Sequence, residues 1–422
     1  MTLFKANLQG SERIKVLALT VIACLGILYL APKVLSNLHV RPEDYFDFEL
    51  FWRAGRSWAS GQNPYDGTLV PNGDGSARTE VSTWFYPPYW YPLIVPFGLM
   101  QFPIALTIWK VLNFVLLILS THLVARSLAD VTEKQSLPLF IGGIAFVSFM
   151  YSTAVTAWDG QSSILVYFGY SALIFGLLKH RPAMVVLALV CLALKPQIGL
   201  LAFVAVVALR QYRWTVIPAG MICILASTTV AITADLSGAI KGFLVNLTRH
   251  SEHSANTPAH LTGAVHILDS LFTLPNASIV AFVILSAGIV LTFVLFYRSP
   301  LNTPPDNGVN ARRSITTLML FIALSLFIVP LHYYDLLSLV AVFLMIIATP
   351  LDGRWITGVG MLLCYRPDFI WRAFGIAHPE EIILSHLISP GLLLILLGST
   401  WDLWASRKLA TPDSKIVNFP IS

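Results

Sequence analysis

The chain has 422 residues, of which 56% are hydrophobic and 12% charged, with a formal net charge of +5 and a mean hydropathy of +0.72. Soluble domains carry about 25% charged residues, so these values exclude a soluble globular protein. The Lys and Arg surplus reflects membrane topology, not a nucleic-acid partner.

Runs of about 20 apolar residues recur along the chain, which predicts an all-α polytopic membrane protein and not a barrel of alternating strands. Cys24, Cys191 and Cys223 lie within apolar runs and Cys364 near the end of one, so they read as small buried hydrophobes. No Cys-x-x-Cys or Cys/His spacing of a zinc site occurs, and neither a metal nor a cofactor is expected.

In chain order, Ile14 to Leu35 follows Lys5, Arg13 and Lys15. The run is too long for a signal peptide and lacks a small-x-small exit, so it reads as a retained anchor spanning about 14–36. Residues 37–101 form the first long polar loop. Within it Pro87-Pro88-Tyr-Trp-Tyr-Pro92, with Pro96, is expected to lie at the interface with its aromatics at headgroup level.

Further spans are expected near 102–126, 138–157 and 160–178. Ala183–Leu194 and Ile198–Leu209 follow, each only about 18 Å long as a helix against a hydrocarbon core of about 30 Å. Lys195-Pro196-Gln197 sits between them, which predicts a hairpin whose tip reaches a polar cavity. The remaining spans fall near 215–234, 277–298, 314–331, 334–350, 354–365 and 382–404, giving about 10–13 transmembrane or half-membrane helices.

The positive-inside rule gives this register a side. Arg126, Lys134, Lys179, Arg181, Arg210, Arg213, Arg298, Arg312, Arg313, Arg354 and Arg407 fall in inside loops with the basic N-terminus. Residues 37–101, Trp158–Gln161, 235–276, His332–Asp335 and 366–381 then share the outer face, unless 87–101 crosses and inverts the middle loops. The expectation is one transmembrane domain over 1–408, a second outer loop at 235–276 and a disordered tail at 409–422. No soluble domain or internal repeat is visible.

Candidate chemistry gathers outside the first span. Phe48, Phe51, Trp52, Gly55, Trp58 and Ala59 share one helical face, Glu49 and Arg53 form an i,i+4 pair, Arg56 shares their side, and Gly61 is a C′ stop. This reads as an interfacial helix with Asp47 at its N-terminus, either as a cap or as a reactive carboxylate; Asp44 is equally placed. Asp159, in Trp158-Asp159-Gly160-Gln161, is a solvated turn residue or points into a cavity. Lys195 in an apolar stretch is costly unless it pairs or snorkels, which points to anion binding. His332 sits at an outer helix end, and His250, His253, His260 and His266 match no zinc signature. One carboxylate as base, with cations nearby for a phosphate leaving group, suits transfer from a lipid-linked phosphate donor.

In their order along the chain, Asp47-Phe with Arg56, Gly61-Gln-Asn-Pro64-Tyr65-Asp66, Tyr86-Pro87-Pro88, Gly160-Gln161, Lys195-Pro196, Arg210-Gln-Tyr-Arg213-Trp and His332-Tyr-Tyr resemble glycosyltransferase family 87. These enzymes have the GT-C fold, use polyprenyl-phosphate sugars and include bacterial alpha-mannosyltransferases. The resemblance implies a metal-independent hexosyltransferase, with Asp47 as general base and an active site on the outer face of the bacterial cell membrane. It carries the family's late histidine over to His332; donor-phosphate contacts are expected from Lys195, His332 and Arg56, and substrate lining from Asp44, Tyr65, Tyr86, Asp159, Gln161 and Gln197. The acceptor is a lipid or glycan, and inversion follows if a beta-linked donor gives an alpha product. Two departures stand out: Ser254–Gly263 lacks an Asn-Gln-Ser type run, and Asp44 competes with Asp47. A transporter or flippase is the alternative. It needs a repeat-related pair of broken helices, where one break is evident. A lipid-modifying enzyme with a soluble catalytic domain or a metal cluster has no counterpart in the sequence.

Overall fold

The computed structural model describes residues 10–35, 47–66, 84–210, 213–232, 235–252, 256–272, 276–302, 309–376 and 381–408. Asp44, His253 and the 409–422 tail lie outside them. The described chain is helical and has no strand, with one isolated bridge between Thr262 and Leu331.

The helices run α1 Gly10–Leu35, α2 Asp47–Ala59, α3 Tyr91–Gly98, α4 Phe102–Thr132, α5 Ser136–Phe149, α6 Tyr151–Asp159, α7 Ser163–Leu178, α8 Pro182–Ala193 and α9 Pro196–Ala208. They continue with α10 Val216–Thr228, α11 Leu236–Glu252, α12 Ala264–Phe272, α13 Ala277–Tyr297, α14 Val309–Ile328, α15 Leu339–Ala348, α16 Arg354–Tyr365, α17 Pro367–Ala373 and α18 Glu381–Lys408. Among them α1, α4, α13, α14 and α18 are long and apolar enough to cross a bilayer, and two bent pairs raise these 5 to as many as 7. The runs Ser163–Leu178, Pro182–Ala193, Pro196–Ala208 and Tyr333–Ala348 are apolar but shorter. The chain is an all-α polytopic membrane protein.

Local chemistry sets the breaks that matter for the site. After α2, Gly61 (φ 73°) takes the left-handed conformation. Its N–H bonds Trp58 at 3.0 Å and the Gln62 N–H bonds Ser57 at 2.8 Å, a Schellman stop. Gly160 (φ 69°) turns α6 into α7. Pro196 holds Lys195 extended (ψ 96°) and so separates α8 from α9.

The proline-rich segment differs from its expectation. Pro88–Trp90 is a 3-10 turn and α3 has only 8 residues, about 12 Å, too short to span. Its aromatics turn inward: Trp84 and Trp90 are fully buried. They pack on α2, where Phe51 stacks on Trp90 at 5.1 Å and Trp58 meets Tyr91 at 5.3 Å. The two helices touch at a glycine pair, since a Cβ on Gly55 would lie 2.3 Å from the Ile94 carbonyl and one on Gly98 2.2 Å from the Gly55 carbonyl carbon. Consequently α2 has no open polar face; it is buried on nearly every side, Glu49 and Arg53 included. The covering aromatics gain more by burial against α2 than at a headgroup layer. The cysteines also divide: Cys364 is buried, Cys191 and Cys223 are half-buried and Cys24 is exposed.

The bundle has two unlike ends. At one, Lys179 pairs with Asp130 at 2.7 Å, Lys134 donates to the Ile347 carbonyl at 2.9 Å, and Arg312 pairs with Asp352. The charged residues of these contacts lie in segments expected inside. At the other end converge the starts of α2 and α7, the α8–α9 break and the 3-10 turn Tyr333–Ser338.

Candidate active site

Tyr334 is the hub of this second end. Its phenol is within hydrogen-bonding reach of the Gln161 side chain and within the electrostatic field of Asp47, Tyr86 and Asp335. Lys195 lies 5.8 Å above its ring, and His332 stacks on it with centroids 5.0 Å apart. Residues separated by nearly three hundred positions therefore meet around one side chain.

Lys195 is buried and forms an ion pair with Asp335, and Ser163 donates to the same carboxylate oxygen. That is how the structure accommodates a lysine in an apolar stretch. The helix break beside it is satisfied by the proline-rich segment. Tyr89 donates its hydroxyl to the Ala193 carbonyl, and Trp90 Nε1 donates to the Leu194 carbonyl at 3.0 Å. Carbonyls at the end of α8 that lack helical donors are thus capped by side chains. The hairpin tip reaches a polar environment, as its sequence implies.

Asp47 opens α2 in its first turn. Its charge acts on both Tyr334 and Asp159, and Lys110 opposes it at Asp159. The turn carrying Asp159 is pinned from both sides. Trp109 Nε1 donates to the Gly160 carbonyl at 2.7 Å, Asn113 donates to the Gln161 carbonyl at 3.3 Å, and a Cβ on Gly160 would lie 2.9 Å from Cβ of Phe48. Phe48 in turn stacks on Trp109 at 5.2 Å. The residue next to Asp47 thus locks α2 against the Asp159 turn, and the two carboxylates are held as neighbours.

The other expected site residues have these surroundings. The Tyr65 hydroxyl donates to the Tyr86 carbonyl at 2.5 Å, and burial pushes that phenol's pKa up. Asn246 of α11 donates to the carbonyls of Tyr65 and Trp84 at 3.0 and 2.9 Å, clamping the two ends of the intervening segment. Arg56 lies over the Trp52 ring at 5.2 Å, nine residues or about 13 Å along α2 from Asp47. Gln197 is half-buried in the first turn of α9. His332 Nε2 meets Asn256 Oδ1 at 3.1 Å, which ties the 235–276 loop to the hub.

Tyr334, Asp335, Ser163, Lys110 and Asn256 were not singled out by the sequence. Charge balance held a signal for two of them: Lys195 needed a carboxylate, and Lys110 is a second lysine inside a long apolar run. Among the described residues no group of three or more His, Cys, Asp or Glu is placed to hold a metal ion.

Fold and site together define a polytopic membrane protein with a buried, mixed-charge site at one end of its helices. The sequence model of glycosyltransferase family 87 matches residues 84–330, more than half of the chain. The protein belongs to that family and is a membrane glycosyltransferase. No curated protein and no solved structure matches it.

Proposed function

We propose that the protein moves a hexose, most simply mannose, from a polyprenyl-phosphate donor to a lipid or glycan acceptor. In this reading the fold is GT-C and the site faces the exterior of a bacterial cell membrane. The observation that carries it is Asp47 at the first turn of α2, in the field of Tyr334 and Asp159.

Asp47 takes the proton from the acceptor hydroxyl as its oxygen attacks the anomeric carbon. The bond from that carbon to the phosphate oxygen breaks, and the polyprenyl phosphate leaves with the electron pair, so no acid is needed. Negative charge then gathers on the phosphate. Lys195 answers it, since an ammonium has three N–H donors and Asp335 does not use them all. His332, stacked on Tyr334, adds a second nitrogen donor. A helix N-terminus favours the ionised form of Asp47, and its charge is felt by the neighbouring Asp159 carboxylate.

The test is incubation of membranes holding the protein with radiolabelled polyprenyl-phosphate-mannose. The expected result is label in a new lipid or glycan product that is absent without the chain. Label that crosses the membrane while remaining on the donor would overturn the reading.

A further inference from the structure

Lys110 takes no part in the steps assigned to Asp47, Lys195 and His332. It lies in the apolar helix α4, eight residues or about 12 Å from the first residue of that helix. The side chain is buried, with 3% of the residue exposed, so its ammonium does not snorkel to the surface. A methionine would fill the same space without the cost of burying a cation. Stability alone does not account for a lysine there.

Its neighbours on α4 hold the turn that carries Asp159. Trp109 donates to the Gly160 carbonyl and Asn113 to the Gln161 carbonyl, at 2.7 and 3.3 Å. Lys110 Nζ lies 6.0 Å from the centroid of the Trp158 ring, and its charge acts on the Asp159 carboxylate. One face of α4 thus meets all four residues of the turn. Behind the turn is a cavity of about 30 Å³, where Lys110, Asn113, Thr153 and Thr156 share apolar walls. Asn113 and Thr153 are buried, and among the described residues neither Asn113 Oδ1 nor Thr153 Oγ1 has a hydrogen-bond partner. Buried oxygens of this kind need a donor, and the space is that of one ordered water, at most about two.

Charge balance gives the cavity a role. Near Tyr334 one cation meets one carboxylate, Lys195 with Asp335. Here one lysine stands by two carboxylates, since Asp47 also acts on Asp159. Two neighbouring carboxylates without a cation tend to share a proton, because both do not ionise easily together. A base that already holds that proton cannot take one from a hydroxyl.

We infer that Lys110 is a positioning residue for transfer: acting through Asp159 and a water held by Asn113 and Thr153, it favours the proton-free form of the Asp47–Asp159 pair. The inference rests on the proposed function for the identity of the base, but the charge coupling it requires does not. On its open side Asp159 faces a cleft lined by Tyr29, Tyr151 and Tyr333, which stay neutral below about pH 9. The remaining charges there are Arg372, exposed to solvent, and Arg366, held by Asp368 in a two-pronged pair at 2.9 and 2.8 Å.

The test is the pH dependence of label transfer from polyprenyl-phosphate-mannose, between pH 5 and 8.5, by membranes holding equal amounts of each variant. In Lys110→Met the acid limb is expected to move up by about one pH unit, with the rate about 10-fold lower at pH 6 and near wild type at pH 8.5. Lys110→Arg restores the limb, and KM for the donor stays the same. Asp159→Asn moves the limb down. Lys110→Met/Asp159→Asn strands no charge, so it keeps the test open where Lys110→Met does not fold, and its limb returns to within about half a unit of wild type. Lys134→Met, at the basic end, leaves the profile unchanged. A loss equal at every pH in Lys110→Met, or one shared limb for Asp159→Asn and the double variant, overturns the inference. The base is judged separately: wild-type transfer by Asp47→Asn, with the Lys110 shift still present, moves the base and leaves the role of Lys110 standing.

Discussion

The two ends of the bundle handle charge in opposite ways. At the basic end, Lys179–Asp130 joins side chains 24% and 50% exposed, within reach of water and headgroups. Such pairs contribute little, because solvent screens them and holding two long side chains costs entropy. At the site end, Lys195 and Asp335 are 9% and 3% exposed and come from segments 140 residues apart. Burying two ions is expensive, and a hydrophobic pair of the same volume is often no less stable. The difference separates exposed pairs, which solvent screens, from a buried pair that stability alone does not explain.

That contrast can be broken by experiment. Lys195→Ala strands a buried carboxylate and should cost about 3–5 kcal/mol in detergent unfolding, whereas Lys179→Ala should cost less than about 1 kcal/mol. Equal losses would remove the distinction. Gly55→Ala forces a methyl onto the Ile94 carbonyl and should destabilise by about 1–3 kcal/mol. Gly220→Ala, in α10 with nothing within 4 Å, should by helix propensity raise the melting temperature instead. Trp90→Phe leaves the Leu194 carbonyl without its donor at the helix break, at a cost of about 1–3 kcal/mol. Intact stability would mean that another group caps it.

The smallest effect concerns pH. His266 on α12 bonds Pro258 and meets His386 at 3.1 Å, and burial lowers its pKa. The unfolded chain then binds the proton more readily, so this contribution is present above about pH 6.5 and is lost as pH falls below it. Melting curves at pH 7.5 and 5.5 should show a loss that His266→Gln reduces; an identical loss in the variant would clear His266.

Much of this architecture was legible because it is written in composition and punctuation. The break at Lys195-Pro196, the stop at Gly61 and the spans α4 and α13 follow from apolar length, proline and glycine, which act locally. The burial of α2 was hidden. Its amphipathic pattern reads as a half-exposed helix, and the inward turn of Trp84 and Trp90 covers the second face. The site was legible as a set of polar segments but not as a constellation. Tyr334 reads as one more aromatic at a helix start, and its neighbours come from four distant segments. The Tyr65 bond was hidden for a like reason: its hydroxyl donates to a backbone carbonyl 21 positions away.

The central claim is that Asp47 is the base. Its most direct test is transfer of radiolabel from polyprenyl-phosphate-mannose by membranes holding equal amounts of wild type, Asp47→Asn and, at the basic end, Asp130→Asn. Asp47→Asn preserves the shape of the side chain and removes the proton acceptor, a role that contributes about 10²–10⁴-fold. The account predicts that Asp47→Asn lowers the rate by about 10³-fold while the protein still inserts and folds, and that Asp130→Asn stays within about twofold of wild type. Transfer by Asp47→Asn at the wild-type rate would contradict it and move the base to another carboxylate.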